Sequence, residues 1–303
     1  MTHIFMDLEA CWRDPATARY AVLPVPYEGT VCYMAGTAAG PQAVLEASPQ
    51  LEFYDEELGG EFYAAGIATL PAVPPADEPG AMMARIRAAA EPVIRAGKFL
   101  LTLGGEHSIT APLVEAAQAY HGPLSVLHVD AHADLRDTWE GTPHSHACVM
   151  RRVLERTDGR ICQVGIRNVS LDEVRACPAQ VARFITPAII RQDGRWIDRA
   201  LAMLCERVYV TIDMDGLDPS LAPGVGTPEP DGLSWPQITA LLRRVCAERR
   251  VVAADIVETR PIPPNHLTEF VAAKLAYKLI AYTQLAQESP RRTQRTRRTR
   301  KQP

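Results

Sequence analysis

An α/β fold, with a parallel sheet covered by helices on both faces, is what this 303-residue sequence predicts. Three observations carry that expectation. Short runs rich in Val, Ile and Leu recur along the chain, longer segments of helical pattern separate them, and polar clusters stand where the runs end. Runs that are apolar at nearly every position, not at alternate ones, mark strands buried on both faces, and such strands need parallel pairing through helical crossovers.

The strand candidates, in order, are YAVLPVP (20–26), FLLTLGG (99–105), LSVLHVD (124–130), ICQVGIR (161–167), ARFITPA (182–188), RVYVTIDMD (207–215) and VVAADIVE (251–258). Helix candidates between them include MMARIRAAAEPVIRAG (82–97), ITAPLVEAAQAY (109–120) and SWPQITALLRRVCAE (234–248). Gly97 suits the position after a helix end, where a left-handed backbone closes the last turn, and Ser234 suits an N-cap. No internal repeat and no linker interrupts the pattern, so residues 1–288 are read as one domain. The remaining stretch, 289–303, holds six arginines and one lysine with no acid and no large apolar residue, and is read as a disordered basic tail.

Apolar residues make up 47% of the chain and charged ones 22%, enough for a substantial core. A formal net charge of −4 argues against a general nucleic-acid binder, leaving only the basic tail for such contact. The seven cysteines are scattered without a CxxC pair, which suits reduced thiols better than a disulfide framework. The N-terminal MTHIFMDLEACWRD carries acids where a signal peptide needs positive charge and an apolar core, and no run has the length of a membrane span. A cytoplasmic protein with no membrane partner is expected.

In parallel α/β sheets ligands bind beyond the carboxyl ends of the strands. GGEHS follows the run at 99–105, DAHAD follows 124–130, DMDGLDP closes 207–215, and Glu258 ends 251–258. Asp130, His132 and Asp134 alternate with alanines, so an extended backbone would aim all three side chains to one side; Asp213 and Asp215 repeat the spacing. Four aspartates side by side cannot all stay ionised without cations. With His107 and His132 they make six potential ligands, too many for one ion that must keep open positions but suited to two bridged by shared carboxylates. Oxygen-rich donors with a minority of imidazoles favour Mn²⁺ ahead of Zn²⁺. His128 is read as a buried, hydrogen-bonded strand residue, with support of a metal ligand as the alternative. His144 is read as a loop residue, His3, His121 and His266 as surface or cap residues, and Cys148 and Cys162 as core.

The motifs GGEHS, DAHAD, SHACVMRR, DMDGLDP, GTPEP and DIVE, in this order and spacing, resemble those of the arginase/agmatinase family of ureohydrolases, and most closely its agmatinase branch. The resemblance runs from VLPVPYEGT (22–30) to FVAAKLAYKLIAY (270–282). It implies a three-layer αβα fold with a mostly eight-stranded parallel sheet, and two Mn²⁺ per subunit. One ion would be held by His107, Asp130, Asp134 and Asp213, and the other by Asp130, His132, Asp213 and Asp215. His146 matches the family's active-site histidine, a proton shuttle, and Glu258 the carboxylate that grips the substrate guanidinium; Asp134 would relay a proton to the leaving amine. The implied reaction converts a guanidino amine to urea and a primary amine. Agmatine giving putrescine comes first, N1-aminopropylagmatine giving spermidine second, and guanidinobutyrate and other guanidines follow. A homo-oligomer, trimer or hexamer, is also implied. From other classes, a catalytically silent scaffold or sensor and a one-zinc deacetylase-like hydrolase are the competing readings.

Two departures stand out: Glu106 where many members have Asp, and Asp231 in a turn where Gly is common. Between Asp134 and His146 the chain reads LRDTWEGTPHS, without the Ser-Gly-Asn run with which arginases receive the α-carboxylate and α-amino group of arginine. Asp137 or Glu140 would repel such a carboxylate and attract a terminal ammonium, so L-arginine is expected to be a poor substrate.

Overall fold

The computed structural model describes residues 3–288; the basic stretch 289–303 lies outside the described residues. Seven strands form one wholly parallel sheet: β1 (Tyr20–Val25), β2 (Ile67–Thr69), β3 (Phe99–Gly104), β4 (Ser125–Val129), β5 (Ile161–Val164), β6 (Arg207–Asp213) and β7 (Arg250–Val257). Their spatial order is β2-β1-β3-β7-β6-β4-β5. Inner-strand residues are buried without alternation, as expected of a sheet covered twice. On one face Leu101, Leu103, Val129, Val210 and Ile256 pack with the helices Trp235–Glu248 and Leu267–Glu288. On the other, Leu23, Leu100, Val126 and Tyr209 pack with Pro79–Arg95 and Thr110–His121. The three-layer αβα arrangement therefore follows from the runs themselves.

Helix ends match their sequence signals. Gly97 has φ +75° and its N–H bonds the Ile94 carbonyl at 2.9 Å, closing the helix before β3. Ser234 caps Trp235–Glu248 in a reciprocal capping box with Gln237.

The run at 182–188 is the exception. There Ile185 makes a single parallel bridge to Val164, and the chain turns directly into the helix Pro187–Gln192. Thr186 accepts from the Ile189 N–H while Pro187 takes the first helical position, a cap pair that outweighs the β-branched composition. The eighth strand is thus reduced to one bridge. Strand β2, only three residues long, gave no periodic signal in the sequence. Among the described residues no helix is long and apolar enough to cross a membrane.

Candidate functional site

Sheet order places the four polar clusters on adjacent strands, β3-β7-β6-β4. Val129 lies opposite Ile212 and Asp213 opposite Val257, so Asp130, Asp213 and Glu258 leave neighbouring strand ends at one level. The Glu258 N–H donates to the Gly105 carbonyl at 2.7 Å, joining the β3 and β7 loops. Two glycines permit the close packing: a Cβ on Gly105 would stand 2.0 Å from the Tyr27 carbonyl oxygen, and one on Gly216 2.7 Å from the Asp130 nitrogen.

The buried His107 meets the Thr211 hydroxyl at 2.9 Å through Nε2. Its Nδ1 faces Oδ2 of Asp130 and of Asp213, each at 3.1 Å, and Oδ2 of Asp134 at 3.4 Å, yet makes no hydrogen bond. Beside this group, His132 Nδ1 lies 3.0 Å from Asp215 Oδ2 and 3.6 Å from Asp130 Oδ1. Asp130 is common to both clusters. His128 also lies within the first, but Gln163 Nε2 donates to its Nδ1 at 3.0 Å, which places its own hydrogen on Nε2, 2.7 Å from Asp130 Oδ2. No lone pair on His128 is left for an ion, whereas Asp213 Oδ2, 3.1 Å from His107 Nδ1, has its lone pairs directed into the same group.

Electrostatics point the same way. Burial, with Asp215 and Asp130 adding their charge, raises the Asp213 pKa well above the usual carboxylate value. Burial and the neighbouring Asp130 raise Asp134 as well. For Asp130 burial opposes ionisation, but charge from His128, its hydrogen bond, and the imidazoles of His107 and His132 close by hold its pKa well below normal. Crowded carboxylates pushed toward protonation, around an imidazole nitrogen with no hydrogen-bond partner, fit hard divalent cations.

The convergence of Asp130, His132 and Asp134 does not come from one extended strand. The strand stops at Val129, Asp130 Oδ1 accepts from the His132 N–H at 2.5 Å, and Asp134 takes a left-handed φ of +53°. Asp215 likewise lies in a one-turn 3₁₀ segment, Met214–Gly216, held by its N–H to Asp213 Oδ1 at 2.8 Å. Glu258 has φ +63°, and its Oε1 accepts from the His107 N–H at 2.7 Å. Asp134, in the first cluster, and Glu258, beside it, thus both have backbone conformations that non-glycine residues rarely adopt.

A cavity of about 290 Å³ opens over the clusters, lined by His107, His132, Asp134, His146, Asp213 and Glu258 among others. His146 opens a 3₁₀ turn capped by Ser145 and lies 3.6 Å, through Nε2, from the thiol of Cys32. Burial disfavours its charge, but the Cys32 contact and the carboxylates of Glu258, Asp134 and Glu106 raise its pKa to about 9. Burial, partly offset by His146, pushes Glu258 up to about 8.

The loop after Asp134 differs from expectation. Asp137 pairs with Arg152 at 2.5 Å and Glu140 is exposed, and neither lines the cavity. Arg136 and Trp139 line it instead, with the guanidinium 4.4 Å above the indole ring. The expected repulsion of a carboxylate by those acids therefore has no structural basis. Asp231 does occupy a positive-φ turn, at +71°, and is tied there to Arg191 and Asp218. His144 lies in a loop outside this cavity, His3 is a surface residue, and His121 and His266 stand at helix ends. Cys148 and Cys162 are buried, as expected.

The arginase family model matches residues 18–281, spanning every element of this site. The chain belongs to the arginase family. It is 40% identical over 286 residues to the N(1)-aminopropylagmatine ureohydrolase of Synechocystis sp., covering 92% of this chain and 93% of that one. With the agmatinase of Pyrococcus horikoshii it shares 31% over 286 residues, 92% and 97% of the two chains. The crystal structure of the agmatine ureohydrolase of Thermoplasma volcanium superposes with a TM-score of 0.84 at 32% identity, covering 94% of this chain and 95% of that one. An arginase-family enzyme is a metal-dependent hydrolase with a binuclear centre, and the paired His/Asp clusters of this chain meet that requirement.

Sequence reasoning passed over Thr30, Cys32, Arg136, Trp139, Gln163 and Thr211. Each takes its place through loop geometry or cross-strand pairing, and an isolated Thr, Cys or Gln has no local pattern to betray it.

Proposed function

We propose that this chain is a binuclear manganese ureohydrolase acting on a guanidino amine. Two observations of kinship support the substrate class: the Synechocystis relative is named for N(1)-aminopropylagmatine and the Pyrococcus relative for agmatine. The observation that carries the reading is the pair of clusters sharing Asp130 beneath a cavity that also holds Glu258 and His146. In this proposal His107, Asp130, Asp134 and Asp213 hold one ion, and Asp130, His132, Asp213 and Asp215 the other. When bound, the ions activate water at neutral pH and offset the crowded carboxylate charge.

The chain's own residues supply the rest. Glu258, anchored through Oε1 to the His107 N–H, receives the substrate guanidinium by charge-assisted hydrogen bonds and turns its carbon toward the clusters. Water oxygen bonds the guanidinium carbon, and the bond from that carbon to the alkyl-bearing nitrogen breaks; Asp134 passes the water's proton to that departing nitrogen, and His146 exchanges protons with solvent. Urea and a primary amine result: putrescine from agmatine, spermidine from N1-aminopropylagmatine. Assembly as a trimer or hexamer and a cytoplasmic location belong to the same proposal, on the strength of family resemblance.

A second reading has its own observation. Arg136 lines the cavity and has no carboxylate partner among the described residues, so it is available to a substrate tail ending in a carboxylate, such as guanidinobutyrate. Urea release after Mn²⁺ loading, compared as kcat/KM for agmatine, N1-aminopropylagmatine, guanidinobutyrate and L-arginine, separates the readings. One of the two amines ranks first under the proposal; guanidinobutyrate first favours the Arg136 reading; no urea from any guanidine overturns both.

A further inference from the structure

Glu106, next to His107 in the chain, is fully buried and is not a member of either cluster. Its Oε2 accepts from the backbone N–H groups of Gly29 and Thr30, each at 2.7 Å. Its Oε1 accepts from the hydroxyl of Thr30 at 2.9 Å and from that of Ser108. Four donors converge on one buried carboxyl, more than a residue that merely fills space collects.

The Thr30 hydroxyl then reaches His146. Its oxygen lies 3.0 Å from His146 Nδ1 and accepts from the His146 backbone N–H at 3.1 Å. A hydroxyl has one hydrogen, and here Glu106 takes it, so toward His146 the oxygen only accepts. Nδ1 must therefore carry a hydrogen. In the neutral ring that leaves Nε2 as the nitrogen with the free lone pair, on the side of the cavity wall where Cys32 lies. The Ser145 hydroxyl stands farther from Nδ1, at 3.4 Å.

We propose that Glu106 and Thr30 are positioning residues for His146: through the chain Glu106–Thr30–His146 they fix its ring orientation and its tautomer for proton transfer at Nε2. The inference rests on the reading of His146 as the proton carrier of a ureohydrolase. It also explains why the residue before His107 has the longer side chain. Aspartate, shorter by one C–C bond of about 1.5 Å, would not span the same distance from the β3 loop to Thr30 without moving that loop. A single loop thus delivers His107 to the first cluster and, through its neighbour, sets His146 across the cavity.

The test compares wild type, Thr30→Val and Thr30→Ser after Mn²⁺ loading, by urea-release kinetics, metal content per subunit and melting temperature. Valine keeps the shape of threonine and the backbone donor to Glu106, but neither donates to Glu106 nor accepts from His146. If wild type releases no urea from any guanidine, the ureohydrolase reading fails, whatever the variants do. Given an active wild type, Thr30→Val is expected to lose about 10–100-fold in kcat, on the scale of a misdirected acid–base group, with KM changed less than about threefold and metal content intact. Thr30→Ser, which restores the hydroxyl, is expected to recover to within about fivefold of wild type. Should Thr30→Val not fold, Thr30→Ala reads the same quantity. A kcat for the hydroxyl-less variant within about twofold of wild type, or equal losses in the serine and hydroxyl-less variants, overturns the proposal.

Discussion

His128→Leu is expected to weaken divalent-cation binding without removing any atom of the proposed ligand set. In the folded chain, Gln180 Nε2 donates to Gln163 Oε1 at 2.9 Å, Gln163 Nε2 to His128 Nδ1 at 3.0 Å, and His128 Nε2 to Asp130 Oδ2 at 2.7 Å. Asp130 is the carboxylate that the two clusters share, so releasing it disturbs both. Loss of an outer partner of this kind costs about 10–100-fold in metal affinity. That corresponds to about 1.4–2.8 kcal/mol. Folding should suffer less, because the Gln163 amide keeps its second bond, to the Ala133 carbonyl at 2.9 Å. The stability cost in the metal-free protein should therefore fall near the low end of the 1–3 kcal/mol range for a buried group that loses its partner, about 1 kcal/mol. Isothermal titration with Mn²⁺ gives the affinity, and thermal melts in EDTA and in Mn²⁺ separate the two costs. The metal-induced rise in melting temperature should shrink in the variant. An unchanged Mn²⁺ affinity alongside a lowered EDTA melting temperature would refute the reasoning, since His128 would then only fill the core.

Asp213→Asn should reduce bound metal at both sites and abolish urea release, whereas His107→Ala should loosen mainly one ion; elemental analysis after desalting distinguishes them, and full metal with full turnover in Asp213→Asn would disprove the assignment. Cys32 is exposed, and its contact with His146 holds the thiol pKa below the ordinary value despite partial burial. Iodoacetamide should therefore alkylate it with loss of activity; a guanidino substrate should protect, and Cys32→Ser should resist. Lys278, 2% exposed, bonds Asp55 and Glu57 at 2.9 Å each, so Lys278→Met should cost about 3 kcal/mol in urea unfolding by leaving the buried Asp55 without its cation, while Glu57 keeps Arg243 at 3.0 Å. Burial opposes it, but Lys278 and Tyr282 hold the Glu57 pKa below normal, so this carboxylate's contribution is present above about pH 4.3 and is lost as pH falls through the folded value. Wild type should accordingly lose stability on the acid side more steeply than Lys278→Met, and parallel profiles would show that the triad does not set it.

The sequence by itself determined the parallel sheet, its two covering layers and the chemistry at its rim. Near-continuous apolar runs such as FLLTLG and YAVLPV leave no face for water, and Asp at a strand end is hard to explain unless a charge partner awaits it. His107, Asp130, His132, Asp134, Asp213, Asp215 and Glu258 were legible as polar motifs at the ends of apolar runs, and His146 through the family resemblance of SHACVMRR. What only the tertiary structure decided is which strands adjoin, and hence which residues meet. That Asp130 stands beside Asp213, 83 positions later, follows from the Val129–Ile212 register. The left-handed turns at Asp134 and Glu258 are imposed by the surrounding loops and not by local propensity. ARFITPA had the composition of a strand and yielded one bridge, because the Thr-Pro cap of the next helix competed for the same residues. The link from Glu106 through Thr30 to His146 joins three loops separated by 76 and 116 positions, and only folding brings them within hydrogen-bond distance.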